Sequence, residues 1–448
     1  MPNRPMEQPD ISLQALRQRM AFHGVRQLLV KELAANDNSK NQPYLGGDMS
    51  ITNILPVGEV RAEVTVKGNE SLKAPLPLWW LQPVDGIAPA PHAQLILYPQ
   101  YPEVRLSGFL KGAQGAPSGL MNVRQAGRFL FLGITSEGQI IAWATSPDST
   151  LAGQLRGLGE LERTGIFSIV PMEASDDLST RDRLLAELRR IHLLDWVDSR
   201  RFLGNGILIG CDAPQCVGYT LEAALGIIPN GRSEPDYLGW EIKASEVSAF
   251  GRPAPAKAIT LMTPEPTGGY YRTGGVEAFI RKYGYVDKLG RVDRLNFGGV
   301  HRALSRHETT GLTLMLAGFD ADKGRITNPT GSLALVDDAG NVAAEWSFAS
   351  LMSIWNRKHA QAAYVPAEAR SNLVRQYRYG SVVRMGEGTD IQRLLRAIAA
   401  GGVYYDPGIK LENASQARPA VKRRSQFRMS SRDIPSLYAS MTDELLVP

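Results

Sequence analysis

Cysteine and histidine are scarce: only two cysteines, Cys211 and Cys216, and six histidines occur in 448 residues. Two thiols are too few for a disulfide framework and suit a reducing compartment. A structural zinc site needs about four ligands, and no histidine lies near this pair in the sequence, so zinc is excluded there. No run of about 18 apolar residues occurs, which leaves no candidate membrane-spanning helix and predicts no membrane partner. The opening residues MPNRPMEQPDIS lack the apolar core of a signal peptide, and a cytoplasmic location is expected. No internal repeat is visible.

What remains is an ordinary soluble composition, 43% hydrophobic and 21% charged, in a chain long enough for two or three domains. The formal charge is only +5, but it is concentrated. Between Lys410 and Arg432 seven basic residues (Lys410, Arg418, Lys422, Arg423, Arg424, Arg428, Arg432) face a single acid, Glu412. This segment accounts for the whole excess. Two readings stand: a face that binds a polyanion, or a solvated, partly disordered tail.

Along the chain, Leu13, Leu16 and Met20 predict an amphipathic helix, followed by LLVKELAAN, which reads as strand or helix. Residues 36–42, NDNSKNQ, carry turn chemistry. From Gly58 to Trp143 strands recur between Gly, Pro and polar turns, the pattern of a barrel or sandwich, with a hairpin in ITSEGQIIAW around Glu137 and Gly138. A helix is expected over Leu151–Glu162 and a strand in IFSIVPM. A strong helix should then follow, capped by Asp177 or Ser179, with a stripe of Leu184, Leu188, Ile191 and Val197. The boundary is set near residue 175, with a β-rich domain over 1–175 and an α/β domain over 176–448.

Chemistry concentrates between Gly218 and Ser245. Tyr219–Gly226 reads as a short helix capped by Thr220 and ended by Gly226 with Pro229. It carries Glu222 at the border of its apolar stripe. LGWEIKA reads as a strand, so Glu241 and Lys243 project from one side while Trp240, Ile242 and Ala244 face the other. Asp236 follows a proline at the mouth of that strand. Asp236 and Glu241 suit a hard divalent cation, Mg²⁺ or Mn²⁺, which keeps water and substrate oxygens in its other positions. Lys243 would polarise the attacking water and stabilise the developing oxyanion. Glu222 would hold a second metal or a metal-bound water. The bland alternative is a surface strand with a Glu–Lys pair.

This segment resembles the catalytic core of the MvaI/BcnI family of restriction endonucleases, within the PD-(D/E)xK nuclease fold. The resemblance is carried by Thr220-Leu221-Glu222, Leu225-Gly226-Ile227, Asn230, Pro235-Asp236 and Gly239-Trp240-Glu241-Ile242-Lys243. HLLDWVDSRR, VDRLNF, the stretch Trp355–Glu368 and KRRSQFR extend it over roughly 180–448. Residues 199–218, with both cysteines, read as an inserted loop. The resemblance implies Mg²⁺-dependent cleavage of double-stranded DNA at a short site by a monomer, as in restriction and phage defence beside a cognate DNA methyltransferase. Alternatives are a repair-type nicking endonuclease and a DNA-binding module with a decayed site. The intact Asp236, Glu241 and Lys243 argue against the latter.

Base readout in this family comes from segments after the catalytic strand. Residues 281–307 hold seven Lys/Arg and two His against Asp287 and Asp293, and Arg291, Arg294, His301 and Arg302 are the preferred DNA contacts. For His301 a core position is equally open. Lys422, Arg423, Arg424 and Arg428 are the expected backbone contacts. The N-terminal region, through LAANDNSKNQPYLGGDMSITNILP and LILYPQYPEVRLSGF, loosely resembles the effector domain of EcoRII-type enzymes. That resemblance implies a β-pseudobarrel with Lys40, Asn41, Gln42 and Arg105 near DNA; a partner-binding β-domain is the rival.

Overall fold

The computed structural model describes residues 8–35, 42–47, 50–64, 70–98, 103–172, 179–228, 235–252, 256–371 and 373–447. Asp177, Pro229 and Asn230, and Lys40 and Asn41 among the expected DNA contacts, lie outside the described residues. The chain divides into two compact units, Met1–Ser179 and Thr180–Pro448.

The first unit is built on strands. Its helix Leu13–Phe22 starts where the Ser12 side chain accepts from the Ala15 amide. It buries Leu13, Leu16 and Met20, the spacing of one helical face. LLVKELAAN resolves to strand: Val25–Leu33 pairs antiparallel with Arg128–Thr135, which forms the expected hairpin with Ile140–Thr145. Together with Arg163–Thr164, Phe167–Val170, Leu78–Leu81 and Ile87–Pro89 they make a seven-stranded sheet. Five further strands, Tyr44–Gly46, Arg61–Val64, Glu70–Pro75, Gln94–Tyr98 and Glu103–Ser107, form a second, antiparallel sheet. Among the described residues both sheets are open, so the unit is β-rich without a closed barrel. Leu28, Phe131, Ile141, Trp143 and Leu151 pack into its core. The helix expected over Leu151–Glu162 is shorter, Thr150–Arg156, and starts at Ser149, whose hydroxyl accepts from the Ala152 amide.

In the second unit the long helix spans Thr180–His192 and buries Leu184, Leu188 and Ile191. Val197 is not part of that stripe. It lies in the short strand Val197–Asp198, paired with Arg375–Tyr379, because the chain leaves the helix at Leu193. The central strand of the sheet is Gln361–Ser371, flanked by Arg375–Tyr379 and Val382–Glu387, the latter continuing to Ser440–Leu445. Glu241–Glu246 adds to Gln361–Ser371 in parallel, the pairing that needs a long crossover. Helices Thr180–His192 and Cys216–Ala224 cover one face through Leu184, Leu188, Val217 and Leu221 against Ile242, Val365, Tyr377 and Met385.

The remaining basic segments are folded into smaller sheets. Arg294–Gly298 pairs with Gly408–Glu412, which pairs with Ala420–Lys422, while Phe427–Ser430 pairs with Ala258–Met262 and Val403–Tyr405. The stretch 410–432 is therefore ordered strand and turn, and the reading of a disordered tail is corrected.

Candidate active site

The helix over Cys216–Ala224 begins three residues before the expected start. Thr220 is not its cap. It is fully buried inside the helix, and its hydroxyl bridges the backbone of Arg200, accepting from the amide at 3.1 Å and donating to the carbonyl at 3.2 Å. The preceding loop is a hairpin, Arg200–Phe202 against Leu208–Gly210. After it a disulfide between Cys211 and Cys216 closes the short loop that leads into the helix, so the two cysteines, too few for a framework, still make one bridge. Proximity rather than count decides this: the two Cα atoms lie 5.8 Å apart, within bridging range. Glu222 stays half-buried on the helix. Its negative charge is felt by the buried Tyr379 phenol, whose pKa burial pushes well up and Glu222 raises further.

Beyond residue 235 the chain makes a two-residue turn before entering the strand. Tyr237 and Trp240 exchange backbone hydrogen bonds of 2.9 and 2.8 Å, with Leu238 at φ 48° and Gly239 at φ 86° between them. Two positive φ values in succession are the type I′ geometry that twists with the strands it joins. The turn folds Asp236 back over the strand, where its Oδ2 accepts from the Ile242 amide at 3.0 Å. Ile242 and Trp240 point into the core beneath, and Ala244 packs against it. Glu241 and Lys243 therefore share the other side, as the period-2 reading requires. Glu241 is 1% exposed, and the Lys243 ammonium donates to its Oε1. A carboxylate buried this deeply stands only with such a partner. The structure thus brings Asp236, Glu241 and Lys243 to the mouth of one strand.

Pairing registers extend this site across the sheet. Glu241 lies opposite Ala362, Ala362 opposite Gly386, and Gly386 opposite Met441. One step on, Lys243 lies opposite Tyr364, Tyr364 opposite Arg384, and Arg384 opposite Asp443, its ion-pair partner at 2.8 Å. The Tyr364 and Tyr438 hydroxyls meet at 3.0 Å. Burial first, then the Glu241 charge, pushes the Tyr364 phenol up to about 12, against the Tyr438 hydrogen bond, which lowers it. Tyr438 is raised by burial, by Tyr364 and by Glu241. Sequence reasoning missed both tyrosines. They lie far along the chain from Lys243: the register sets Tyr364 opposite it, and the hydroxyl contact brings Tyr438 to Tyr364.

Among the described residues no three His, Cys, Asp or Glu side chains cluster closely enough to hold a metal ion. The donor set that is present, two carboxylates on adjoining backbone, still fits a hard divalent cation that fills its other positions with water and substrate oxygen.

The expected DNA contacts separate into two groups. Arg294 is buried and tied to Asn296 at 3.0 Å and Asp287 at 3.5 Å. His301 is fully buried, with Nδ1 2.9 Å from the Gly299 carbonyl and Nε2 2.9 Å from Thr310 Oγ1, stacked between Phe297 and His307. Arg428 bonds Asp406 at 2.7 Å and the Ala258 carbonyl at 2.9 Å. All three are engaged within the fold, Arg294 and His301 buried and Arg428 half-buried in its ion pair. Arg291, Lys422, Arg423 and Arg424 are exposed, and Arg302 lies over the Tyr404 ring at 4.7 Å. In the first unit Gln42 donates to Ser107 Oγ at 2.8 Å and Arg105 pairs with Glu103.

An aspartate folded onto the backbone of a strand that presents Glu-x-Lys from one side gathers two carboxylates and an ammonium at one strand mouth. The sequence profile of the MvaI/BcnI restriction endonuclease family matches residues 185–438, more than half of the chain. The chain belongs to this family and is a DNA-cleaving restriction endonuclease. Among solved structures it is similar to "Restriction endonuclease MvaI-cognate DNA substrate complex", at 18% identity and TM-score 0.44, covering 60% of this chain and all of that one. It is also similar to MvaI in the absence of DNA, at 17% identity and TM-score 0.33, covering 60% and 99%. No curated protein matches the chain.

Proposed function

We propose that the protein is a type II restriction endonuclease that hydrolyses double-stranded DNA at a specific site, with Asp236 and Glu241 holding Mg²⁺ or Mn²⁺. The observation that carries this reading is the convergence of Asp236, Glu241 and Lys243, with Asp236 pinned to the amide between the other two. A divalent cation bound there supplies charge neutralisation and acidifies water. Lys243 orients the attacking water and, as the P–O bond to the leaving sugar oxygen breaks, stabilises the charge on the non-bridging oxygens. Glu222, on the neighbouring helix, completes the acidic set by holding a second cation or its water. Arg291, Arg302, Lys422, Arg423 and Arg424 are the exposed cations assigned to DNA. The first unit is proposed as a DNA-contacting effector domain, with Lys40, Asn41, Gln42 and Arg105 as the residues assigned to DNA. The setting is cytoplasmic phage defence by a monomer, beside a cognate methyltransferase.

The test is digestion of unmodified phage DNA with Mg²⁺, followed by sequencing of the ends. A repeated end motif is expected. Lys243→Ala and Asp236→Asn should each lower cleavage by about 10²–10³-fold, the scale of losing an electrostatic stabiliser, while DNA binding persists. Cutting by either variant at the native rate would remove these residues from the site, and supercoiled plasmid that stops at open circles would indicate nicking.

A further inference from the structure

A cleft of about 610 Å³ opens in the second unit between the helix Ile391–Ala399 and the turn Ile434–Leu437. Arg393, Arg396 and Arg432 line it, against one acid, Asp433. The first two arginines bond neutral carbonyls: Arg393 donates to Tyr438 O at 3.4 Å and Arg396 to Gly324 O at 3.0 Å. The cleft therefore keeps a net positive charge. The Arg396 seat is built: Gly324 is at φ 59°, and a Cβ there would meet Arg396 Nε at 2.0 Å. The helix itself buries Ile391, Leu394, Leu395 and Ile398, which sends Arg393 and Arg396 outward together.

Position ties the cleft to the active site. Ser440, two residues beyond Tyr438, pairs with Glu387, and Glu387 pairs with Gln361, adjacent to the row that holds Glu241. Tyr438 joins both: its carbonyl accepts from Arg393 and its hydroxyl meets Tyr364, which lies opposite Lys243.

We propose that this cleft binds the DNA backbone beside the cleaved bond, with Arg393, Arg396 and Arg432 each taking a phosphate oxygen. Guanidinium groups bond phosphate oxygens in pairs and without regard to sequence. The role is registration of the duplex against the catalytic strand, not base readout. It rests on the reading of the protein as a DNA endonuclease.

The experiment measures binding of a specific duplex to the full chain carrying Lys243→Ala, by fluorescence anisotropy between 50 and 200 mM salt. With Arg393→Gln and Arg396→Gln added, the slope of log K against log salt should become shallower by roughly two, about 0.9 for each phosphate that is no longer neutralised. Arg432→Gln, an exposed position that does not endanger folding, should lower it by about one. An unchanged slope in these variants overturns the proposal, as does weakened competition by inorganic phosphate with no change in DNA binding. Failure of the nuclease reading shows separately, as absence of cleavage by the wild-type chain with Mg²⁺.

Discussion

Glu241 is held by the Lys243 ammonium. Its carboxylate is almost wholly excluded from water, and the Lys243 side chain that bonds it is three-quarters covered. The same pair makes the site legible in sequence, because residues two apart on a strand share a face. His301 is the opposite case. In sequence it stands between base reader and core residue. Its two ring nitrogens are taken up by Gly299 and Thr310, and its ring by Phe297 and His307, partners that no local pattern announces. Burial, aided by His307, lowers its pKa to about 4, while in the unfolded chain the ordinary value is near 6.5. The folded state refuses a proton that the unfolded state accepts between those values. Stability is thus fully present above 6.5 and is lost as the pH falls toward 4, by roughly 3 kcal/mol from this group. Denaturant unfolding across that window should show the loss, and His301→Gln should flatten it; parallel pH curves for the two proteins would refute the assignment.

At the scale of elements, the turn before the catalytic strand decides where Asp236 sits. Gly239 takes its positive φ freely, but Leu238 does not: the left-handed conformation costs an L-residue about 1 kcal/mol. Leu238→Asn should therefore raise stability by up to about 1 kcal/mol, read as a higher Tm, with cleavage retained. Gly239→Val should destabilise by about 1–3 kcal/mol and reduce cleavage, because Asp236 swings away from the Ile242 amide. Equal activity of Gly239→Val and wild type would show that the turn does not position the aspartate. The strand is legible here from its alternation. The turn is not, since Leu238 is an unusual residue for it. The helix bearing Glu222 is longer than its own pattern indicates, because its first turn is set by the hairpin and disulfide before it.

At the scale of the molecule, each unit has its own apolar core, one around Phe131 and Trp143 and another around Leu221, Trp240 and Val365. Phe131→Ala removes a fully buried ring from the first core alone. It should cost about 3–5 kcal/mol there. Calorimetry on the full chain is expected to show the first unit's transition moving down while that of the second stays. Displacement of both by equal amounts would show that the chain unfolds as one unit. The first unit also shows the limit of reading strands from sequence. Its strands and hairpin are visible from Gly, Pro and alternation. Whether the sheet closes is not, because closure depends on edge pairings far apart in sequence.

By itself the sequence determined the grouping of Asp236, Glu241 and Lys243, through a local period of two and the place of the aspartate at the strand mouth. It also carried the family resemblance, which rests on short motifs in order. Tertiary structure alone decided which of the basic residues are exposed and which are buried. Arg294, His301 and Arg428 resemble their exposed neighbours in sequence, yet burial takes in the first two and an ion pair with Asp406 holds the third. It alone joined Tyr364, Tyr438 and the arginine cleft to the catalytic strand, since parallel pairing with Gln361–Ser371 is a non-local event.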